Sequence, residues 1–245
     1  GHMDYWMEGF DAIAMANAYA AQGRSVLAQE LNLTPAQRAD LQDFLEWNSL
    51  PQNRFYRYDY YLDNCSTRVR DAIDRVLGGQ IRRATEGLPS GSTYRSHTRD
   101  LVAADPGLYT ALMVGLAQPV DREISVWEEM FLPIRMIERF RQLTVDGPGG
   151  ADLPLVRSEE TLFPARLGVV PVPPPGTLSY LFGGTVLGLA LLVTAWFGAR
   201  RRDARVVFRV LASGWGVLAG ILGTILVLLW AFTDHTVAYR NENLF

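Results

Sequence analysis

The chain has 245 residues, and its 23 basic residues, all arginine, are outnumbered by 26 acidic ones, which gives a net charge of −3. An acidic chain of this kind is not expected to bind nucleic acid. Its single cysteine, Cys65, excludes an internal disulfide and a zinc site made of several cysteines. We expect neither a metal nor a cofactor.

The first three residues, Gly1, His2 and Met3, look like the remnant of a cleaved affinity tag. Residues 4–170 are long enough for one soluble domain with a hydrophobic core. An exported domain needs a signal or an earlier membrane helix, and none precedes Asp4. The native protein is therefore expected to begin upstream of that residue.

The clearest helix start in the soluble region is at Thr34, which precedes a proline and is followed three residues later by Gln37, as in a capping box. The helix is predicted to run to about Trp47. It should turn three apolar side chains inward: Leu41, Phe44 and Leu45.

Residues 54–61 alternate between polar and aromatic side chains, which predicts a strand with Tyr56, Tyr58 and Tyr60 on one face. This face could line a groove for an acyl chain or a peptide, or it could be a half-buried strand face of no further function. A cluster of cap-forming residues follows. Apolar residues then recur at helical spacing as far as Leu77, so the segment is predicted to run from strand through a tight turn into a helix.

The rest of the soluble region is predicted to be mostly helical. Residues 80–100 are polar and are predicted to be mainly loop, with His97 inside it. A helix is expected over residues 105–117. A capping box at Ser125 is predicted to open another helix that runs to Phe140, with a kink at Pro133. Two short strands are expected near residues 155–156 and 162–163.

Two long runs near the end of the chain contain no charged residue, residues 178–199 and residues 210–232. Each has the length that an α-helix needs to cross a bilayer. Residues 200–209 between them are rich in arginine, which predicts a cytoplasmic loop and places residues 4–170 and the tail, residues 233–245, in the periplasm. Residues 171–177 form a proline-rich spacer. The predicted fold class is therefore α+β, a helix-rich soluble domain with a small sheet, plus a two-helix transmembrane hairpin.

Cys65 falls in the first turn of its predicted helix, where unpaired backbone N–H groups favour the reactive thiolate. Arg68 and Arg70 could add to this effect. The position suits a nucleophile with His97 as its base, and Asn64 as a third member of the site. The alternatives are an inert buried cysteine, an Asn64 that only caps the helix, and a solvated loop histidine.

The order of strand, turn, cysteine and helix is similar to that of papain-like and NlpC/P60-like thiol enzymes, of which this domain could be an incomplete form. A closer resemblance extends along most of the chain. It lies in residues 23–24, 29–34, 53–54, 56–60, 63–68, 70–71, 94–95, 97–98, 127–133, 233–235 and 241–244. In these segments the chain resembles the Lnb N-terminal periplasmic domain family, whose function is largely unassigned.

The resemblance implies an inner-membrane protein with a periplasmic domain and an Asn-Cys-Thr type element at Asn64, Cys65 and Ser66. It also implies an upstream segment with a Gly-His element that this sequence lacks. If that histidine were the base of the family, His97 would be structural and the present chain would be inactive.

Two functions from different classes follow from these observations. The first is a membrane-anchored periplasmic thiol hydrolase or acyltransferase that acts on envelope lipid, lipoprotein or peptide, with Tyr56, Tyr58, Tyr60 and Arg68 as substrate-binding residues. The second is a non-catalytic chaperone or maturation partner of an envelope enzyme. The expected partners are membrane lipid and an envelope protein.

Overall fold

The computed structural model describes residues 3–147, 150–166, 172–233 and 237. Most of the predicted tag remnant and nearly all of the predicted tail lie outside these residues. The chain divides into two compact units. We call residues 2–94 and 122–171 the core unit, and residues 95–121 and 172–245 the hairpin unit.

The helices and strands are interspersed along the chain. The strands are β1 Met3–Trp6, β2 Val26–Leu31, β3 Phe55–Tyr58, β4 Pro89–Thr93, β5 Glu123–Ser125, β6 Thr144–Asp146, β7 Asp152–Pro154 and β8 Val156–Phe163. The helices are α1 Ala12–Ala21, α2 Pro35–Ser49, α3 Cys65–Val76, α4 Gln80–Thr85, α5 Tyr94–Leu101, α6 Pro106–Gly115, α7 Val126–Glu129, α8 Pro133–Phe140, α9 Thr177–Gly198 and α10 Arg202–Phe232. The predicted α+β class is confirmed.

The strands of the core unit form antiparallel pairs rather than one small sheet. Within the described residues the pairs are β1 with β3, β2 with β8, β4 with β5 and β6 with β7. The prediction of two short strands in residues 155–163 was wrong, because β8 is a single strand of eight residues. Its central residues are polar and exposed, so hydrophobicity alone did not reveal them.

The hydrophobic core of the core unit is assembled mainly on α3. Ile73 and Leu77 pack with Ile81 of α4. They also pack with side chains from α7, α8, β6 and the residue between β7 and β8. The further members of this cluster are Trp127, Met130, Phe140, Val145 and Leu155. Of the apolar residues that recur at helical spacing in this segment, Ile73 and Leu77 therefore belong to the core, whereas Val69 is 48% exposed.

The capping residues predicted the starts of α2 and α7 correctly. Thr34 and Gln37 form the predicted capping box of α2, and Ser125 forms one with Glu128 at the start of α7. Leu45 was predicted to face inward, but it is exposed. The long helix predicted through Pro133 is instead two helices, because Leu132 adopts an extended conformation, as a residue before proline commonly does.

Residues 80–100 are not mainly loop, as predicted, but contain α4, β4 and most of α5. The left-handed Gly78 and Gly79 end α3 and let the chain re-enter a helix at once. The carboxylate of Asp74 then accepts a hydrogen bond from the backbone N–H of Arg82, at 3.1 Å. These contacts depend on glycine conformations and on a partner in another helix, which polarity alone did not indicate.

The hairpin unit contains two helices that are long and apolar enough to cross a bilayer, α9 and α10, and they pack against each other. The α10 helix already begins at Arg202, within the predicted cytoplasmic loop, because arginine is a good helix former and nothing breaks the helix before Val210. Arg205 Nε donates to the carbonyl of Gly198 at 2.9 Å. A side chain at residue 198 would crowd the Arg205 backbone, at 3.2 Å.

The α6 helix belongs to the hairpin unit and contacts the open end of the hairpin. The Thr110 hydroxyl lies 2.8 Å from the hydroxyl of Tyr180 in the first turn of α9. The backbone N–H of Ala117 donates to the carbonyl of Val237, beyond the end of α10, also at 2.8 Å. These two contacts link α6 and the residues after it to both outer ends of the spanning helices.

Replacing Leu77 by alanine tests the proposed core. Leu77 is only 2% exposed, so Leu77→Ala should lower the free energy of unfolding by about 2–5 kcal/mol, through lost burial and the cavity left behind. Val69→Ala, in the α3 helix that Leu77 directly follows, is the matched control. It should lower the free energy of unfolding by no more than about 0.5 kcal/mol, since exposed positions tolerate truncation. Denaturant unfolding in detergent micelles measures both. Equal losses would contradict the packing of α3 described here.

Candidate functional site

The segment between β3 and α3 is a tight turn organised by Asp59. Its carboxylate accepts hydrogen bonds from the backbone N–H groups of Tyr61 and Leu62, both at 2.9 Å. The backbones of Asp59 and Asp63 exchange two further hydrogen bonds, at 3.0 and 3.1 Å. Because the turn closes within these few residues, the chain passes directly from the strand into the helix that begins at Cys65.

Asn64 fixes the start of α3 with both ends of its side-chain amide. Its oxygen accepts from the backbone N–H groups of Ser66 and Thr67, at 2.8 and 2.9 Å. Its nitrogen donates to the carbonyls of Tyr60 and Phe131, at 2.8 and 3.0 Å. Asn64 is buried, and its amide is fully occupied by these four bonds.

The neighbours of Asn64 attach the same turn to the core unit. The Thr67 hydroxyl accepts from the Asn64 backbone N–H at 2.8 Å, which completes a capping box. The Ser66 hydroxyl donates to the carbonyl of Met130 at 2.9 Å. Ser66 and Thr67 are buried, whereas Cys65 is exposed and has a free thiol. The sulfur therefore projects from a rigidly held helix start into solvent.

Two of the three predicted tyrosines lie beside Cys65. Burial raises the pKa of Tyr58 to about 12, and the next largest cause is the negative charge of Cys65. Burial also raises the pKa of Tyr56, with Cys65 and Asp63 adding to the effect while Arg68 opposes it. Both phenols are therefore close enough to the sulfur to sense its charge, and both stay protonated at neutral pH.

Tyr60 does not share the strand with the other two tyrosines. The β3 strand ends at Tyr58, and Tyr60 falls in the Asp59 turn, with its ring 4.9 Å from that of Tyr61 and 6.2 Å from that of Phe131. The prediction of one continuous tyrosine face was wrong at this position. The alternating pattern could not show that the Asp59 carboxylate would interrupt the strand.

Arg68 is held at the site but its charge is paired. Its Nη2 lies 2.6 Å from an oxygen of the Asp63 carboxylate, and its guanidinium carbon lies 4.2 Å from the centre of the Tyr56 ring. Arg68 thus links the helix start to the tyrosine strand. Because Asp63 balances its charge, it adds less positive potential at the sulfur than the sequence suggested.

The Arg70 side chain is buried inside the core unit and bonded there. It donates to the carbonyl of Trp127 at 2.8 Å, stacks on the Trp127 ring at 3.8 Å and pairs with Asp71 at 2.7 Å. It lines a polar pocket of about 320 Å³ together with Tyr94 and Trp127. Its buried guanidinium therefore has a packing role that the sequence reasoning had not assigned.

His97 lies in α5 and is 5% exposed, so the predicted loop position was wrong, as was the alternative of a solvated histidine. The reason is that residues 94–101 form a helix after β4, which turns this side chain into the interior. His97 belongs to the hairpin unit, whereas Cys65 belongs to the core unit. Its role as a base stays a prediction.

Tyr5 is a member of the site that the sequence reasoning missed. The β1 strand pairs with β3, and the ring of Tyr5 stacks on that of Tyr58 with centroids 4.3 Å apart. Tyr5 also contributes to the raised pKa of Tyr58. The adjacent aromatic residues Tyr5 and Trp6, a residue type enriched in strands, were a signal that could have identified a short strand here.

Residues 1–100 match the family model of the Lnb N-terminal periplasmic domain. The predicted resemblance to this family is confirmed over these residues, and the matched region contains the whole segment from β1 to the Cys65 helix. No curated protein and no solved structure matched the chain. Together with the two helices able to cross a bilayer, the family match identifies a membrane-anchored protein with a periplasmic domain.

Alkaline titration tests the proximity of Cys65 to the tyrosines. In Cys65→Ser the negative charge is lost, so the pKa of Tyr58 should fall and phenolate absorbance should appear at lower pH than in the parent protein. Ultraviolet difference titration measures this shift. In a Tyr56→Phe/Tyr58→Phe background, Cys65→Ser should leave the titration curve unchanged. Superimposable curves for the parent and Cys65→Ser proteins would show that the sulfur is not beside these phenols.

Proposed function

We propose that this protein is a periplasmic cysteine hydrolase or acyltransferase anchored in the inner membrane. The observation that supports it most directly is the exposed sulfur of Cys65 in the first turn of α3, a turn held in place by a fully bonded Asn64. A nucleophile needs access to its substrate and a fixed geometry, and this position supplies both.

In the proposed reaction the Cys65 thiolate attacks the carbonyl carbon of an ester or amide. The attack forms the C–S bond and turns the carbonyl oxygen into an oxyanion. The C=O bond then re-forms as the bond to the leaving oxygen or nitrogen breaks, and the leaving group takes a proton from a histidinium. Water then releases a carboxylic acid, or an acceptor amine or hydroxyl receives the acyl group. In both cases the thiolate is regenerated.

The oxyanion formed in this reaction needs hydrogen-bond donors. The backbone N–H groups of Ser66 and Thr67 donate to Asn64, and that of Arg68 donates to the Asn64 carbonyl at 3.0 Å. The N–H of Cys65 is therefore the first-turn donor best suited to the oxyanion. Asn64 acts as a positioning residue in this proposal.

The side chains around the sulfur define the expected substrate contacts. Tyr56 and Tyr58 remain protonated at neutral pH, because burial raises the pKa of each phenol. They can donate hydrogen bonds but cannot serve as bases. Arg68 orders the face between them and the helix through its contact with Tyr56. The base is expected to be a histidine, with His97 as the candidate in this chain.

The membrane anchor supports a substrate found at the bilayer: lipid, lipoprotein or cell-wall peptide. The arginines at the α9–α10 connection support a cytoplasmic location for residues 199–201. A reporter enzyme that is active only in the periplasm, fused after residue 201, should therefore be inactive. Activity of this fusion would contradict the orientation.

Acyl transfer to Cys65 can be tested directly. The full chain in vesicles that contain lipid with radiolabelled acyl chains should acquire label that neutral hydroxylamine removes, as expected of a thioester. Cys65→Ala should acquire none. The matched control is Cys65→Ala/Val69→Cys, which moves an exposed thiol one turn along α3, away from the first-turn N–H groups. It too should remain unlabelled.

Equal labelling of the cysteines at positions 65 and 69 would mean that the lipid reacts with any exposed thiol and would contradict enzymatic catalysis. If lipid gives no label, the same comparison with lipoprotein and cell-wall peptide decides between the proposed substrates. Absence of a hydroxylamine-sensitive adduct with all three would overturn the proposed chemistry.

A second candidate is a non-catalytic partner of an envelope enzyme, and one observation favours it. The β1–β3 pair exposes apolar and aromatic side chains, among them Trp6 and Phe55, which are paired in register. Exposed aromatic residues of this kind are typical anchors of protein interfaces. Such an interface would not need the thiol.

Complementation of a deletion strain separates the two candidates. The enzyme predicts that Cys65→Ser abolishes rescue, while Trp6→Ser reduces it little. The partner predicts the reverse pattern. Membrane levels of each variant, measured by immunoblotting, exclude loss of the protein itself as the cause.

A further inference from the structure

The α1 helix of the core unit is largely apolar, with Asn17 as its one amide side chain, and remains uncovered. Ala12–Ala21 contains no charged residue, and none of its side chains is buried. Ile13 is 73% exposed, and Phe10, just before the helix, is 71% exposed. Helices that are apolar all round normally lie in a protein core or in a membrane. This helix therefore needs an apolar environment that the described part of the chain does not provide.

Open grooves flank α1. One, of about 540 Å³, runs past Phe10, Ala14 and Ala18. The other, of about 820 Å³, lies between α1 and the β2–β8 pair and includes Leu162 and Ala165. The helix thus stands out from the core unit with apolar surface on either side.

The chain leaves the core unit for the membrane at this same place. The β8 strand ends at Phe163, opposite Val26, and the backbone N–H of Arg166 donates to the carbonyl of Gly23 at 3.0 Å. Leu162 and Ala165 line the groove beside α1. The segment that leads to α9 therefore begins against the helix with the uncovered apolar surface.

This segment is short. Residues 164–176 are thirteen in number between β8 and α9, and thirteen residues reach at most about 45 Å when fully extended. The end of β8 can therefore be no farther than that from the start of α9, which gives the exposed surface next to β8 a high effective concentration at the lipid. The bilayer is therefore an apolar environment that α1 can reach.

Charged groups lie at the ends of the helix rather than along it. Asp11 caps the first turn, where its carboxylate accepts from Ala14 at 2.7 Å. Arg24 follows the last turn and lies over the Tyr19 ring, with 5.2 Å from its guanidinium carbon to the ring centre. Tyrosine and arginine are both common at the headgroup level of bilayers.

We infer that α1 lies in the interface of the bilayer that anchors the protein. Phe10 and Ile13 contact the acyl chains, and Tyr19 and Arg24 contact the headgroups. Such monotopic docking would hold the core unit against the membrane surface. The inference does not depend on the chemistry at Cys65.

Depth-dependent fluorescence quenching tests this docking in the full chain. In a Cys65→Ser background, Ile13→Cys is labelled with an environment-sensitive fluorophore and reconstituted into phosphatidylethanolamine–phosphatidylglycerol vesicles. The emission should be blue-shifted, and lipid that carries a nitroxide on its acyl chain should quench it. Arg38→Cys, exposed on α2, is the control and should show water-like emission with several-fold weaker quenching.

Phe10→Cys provides a second labelled site and should behave like Ile13→Cys. Water-like emission at both positions, unquenched by the nitroxide lipid, would overturn the inference. So would a blue shift that grows with the protein-to-lipid ratio, because that result would assign α1 to contact with a second copy of the chain. Quenching equal to that at residue 38 would also overturn it.

Discussion

The hydrogen bonds of the Asn64 side chain are the constraint on which the candidate site depends. This one amide joins three segments: the turn after β3 at the Tyr60 carbonyl, the start of α3, and the Phe131 carbonyl beyond α7. Because the amide is buried, each partner left unsatisfied in its absence would cost roughly 1–3 kcal/mol. Asn64 therefore determines how strand, turn and helix meet at Cys65.

The same bonds limit what the site can do chemically. They fix the sulfur of Cys65 in solvent, but they also occupy the N–H groups of Ser66 and Thr67 that would otherwise bind an anion. The neighbouring phenols are neutral, and the charge of Arg68 is balanced by Asp63. In the proposed reaction Cys65 would be a fixed nucleophile with few competing charges nearby, which would suit an uncharged acyl substrate better than an anionic one.

Sequence reasoning succeeded where the determinants are local. The helix starts at Thr34, Asn64 and Ser125 follow from hydrogen bonds within four residues, and each was predicted. It failed where the local structure depends on a partner that is distant in sequence. The β4–β5 pairing brings together residues about thirty positions apart, and the burial of His97 depends on the helix that follows this pair. The prediction for Tyr60 failed for a different reason. The Asp59 carboxylate forms a turn that ends β3, although the alternation of polar and aromatic residues continues.

The two membrane helices were predicted from the length of their apolar runs and the absence of charge. The same criterion does not detect α1, which is too short to span a bilayer. Its significance appears only with the fold, since the strand that leads to the membrane ends beside it. A helix docked on the membrane surface and a short connection to α9 would together restrict the core unit to a narrow layer above the lipid. Within that layer a single exposed thiol meets membrane-bound acyl groups far more often than soluble ones, so the anchor itself would select the substrate.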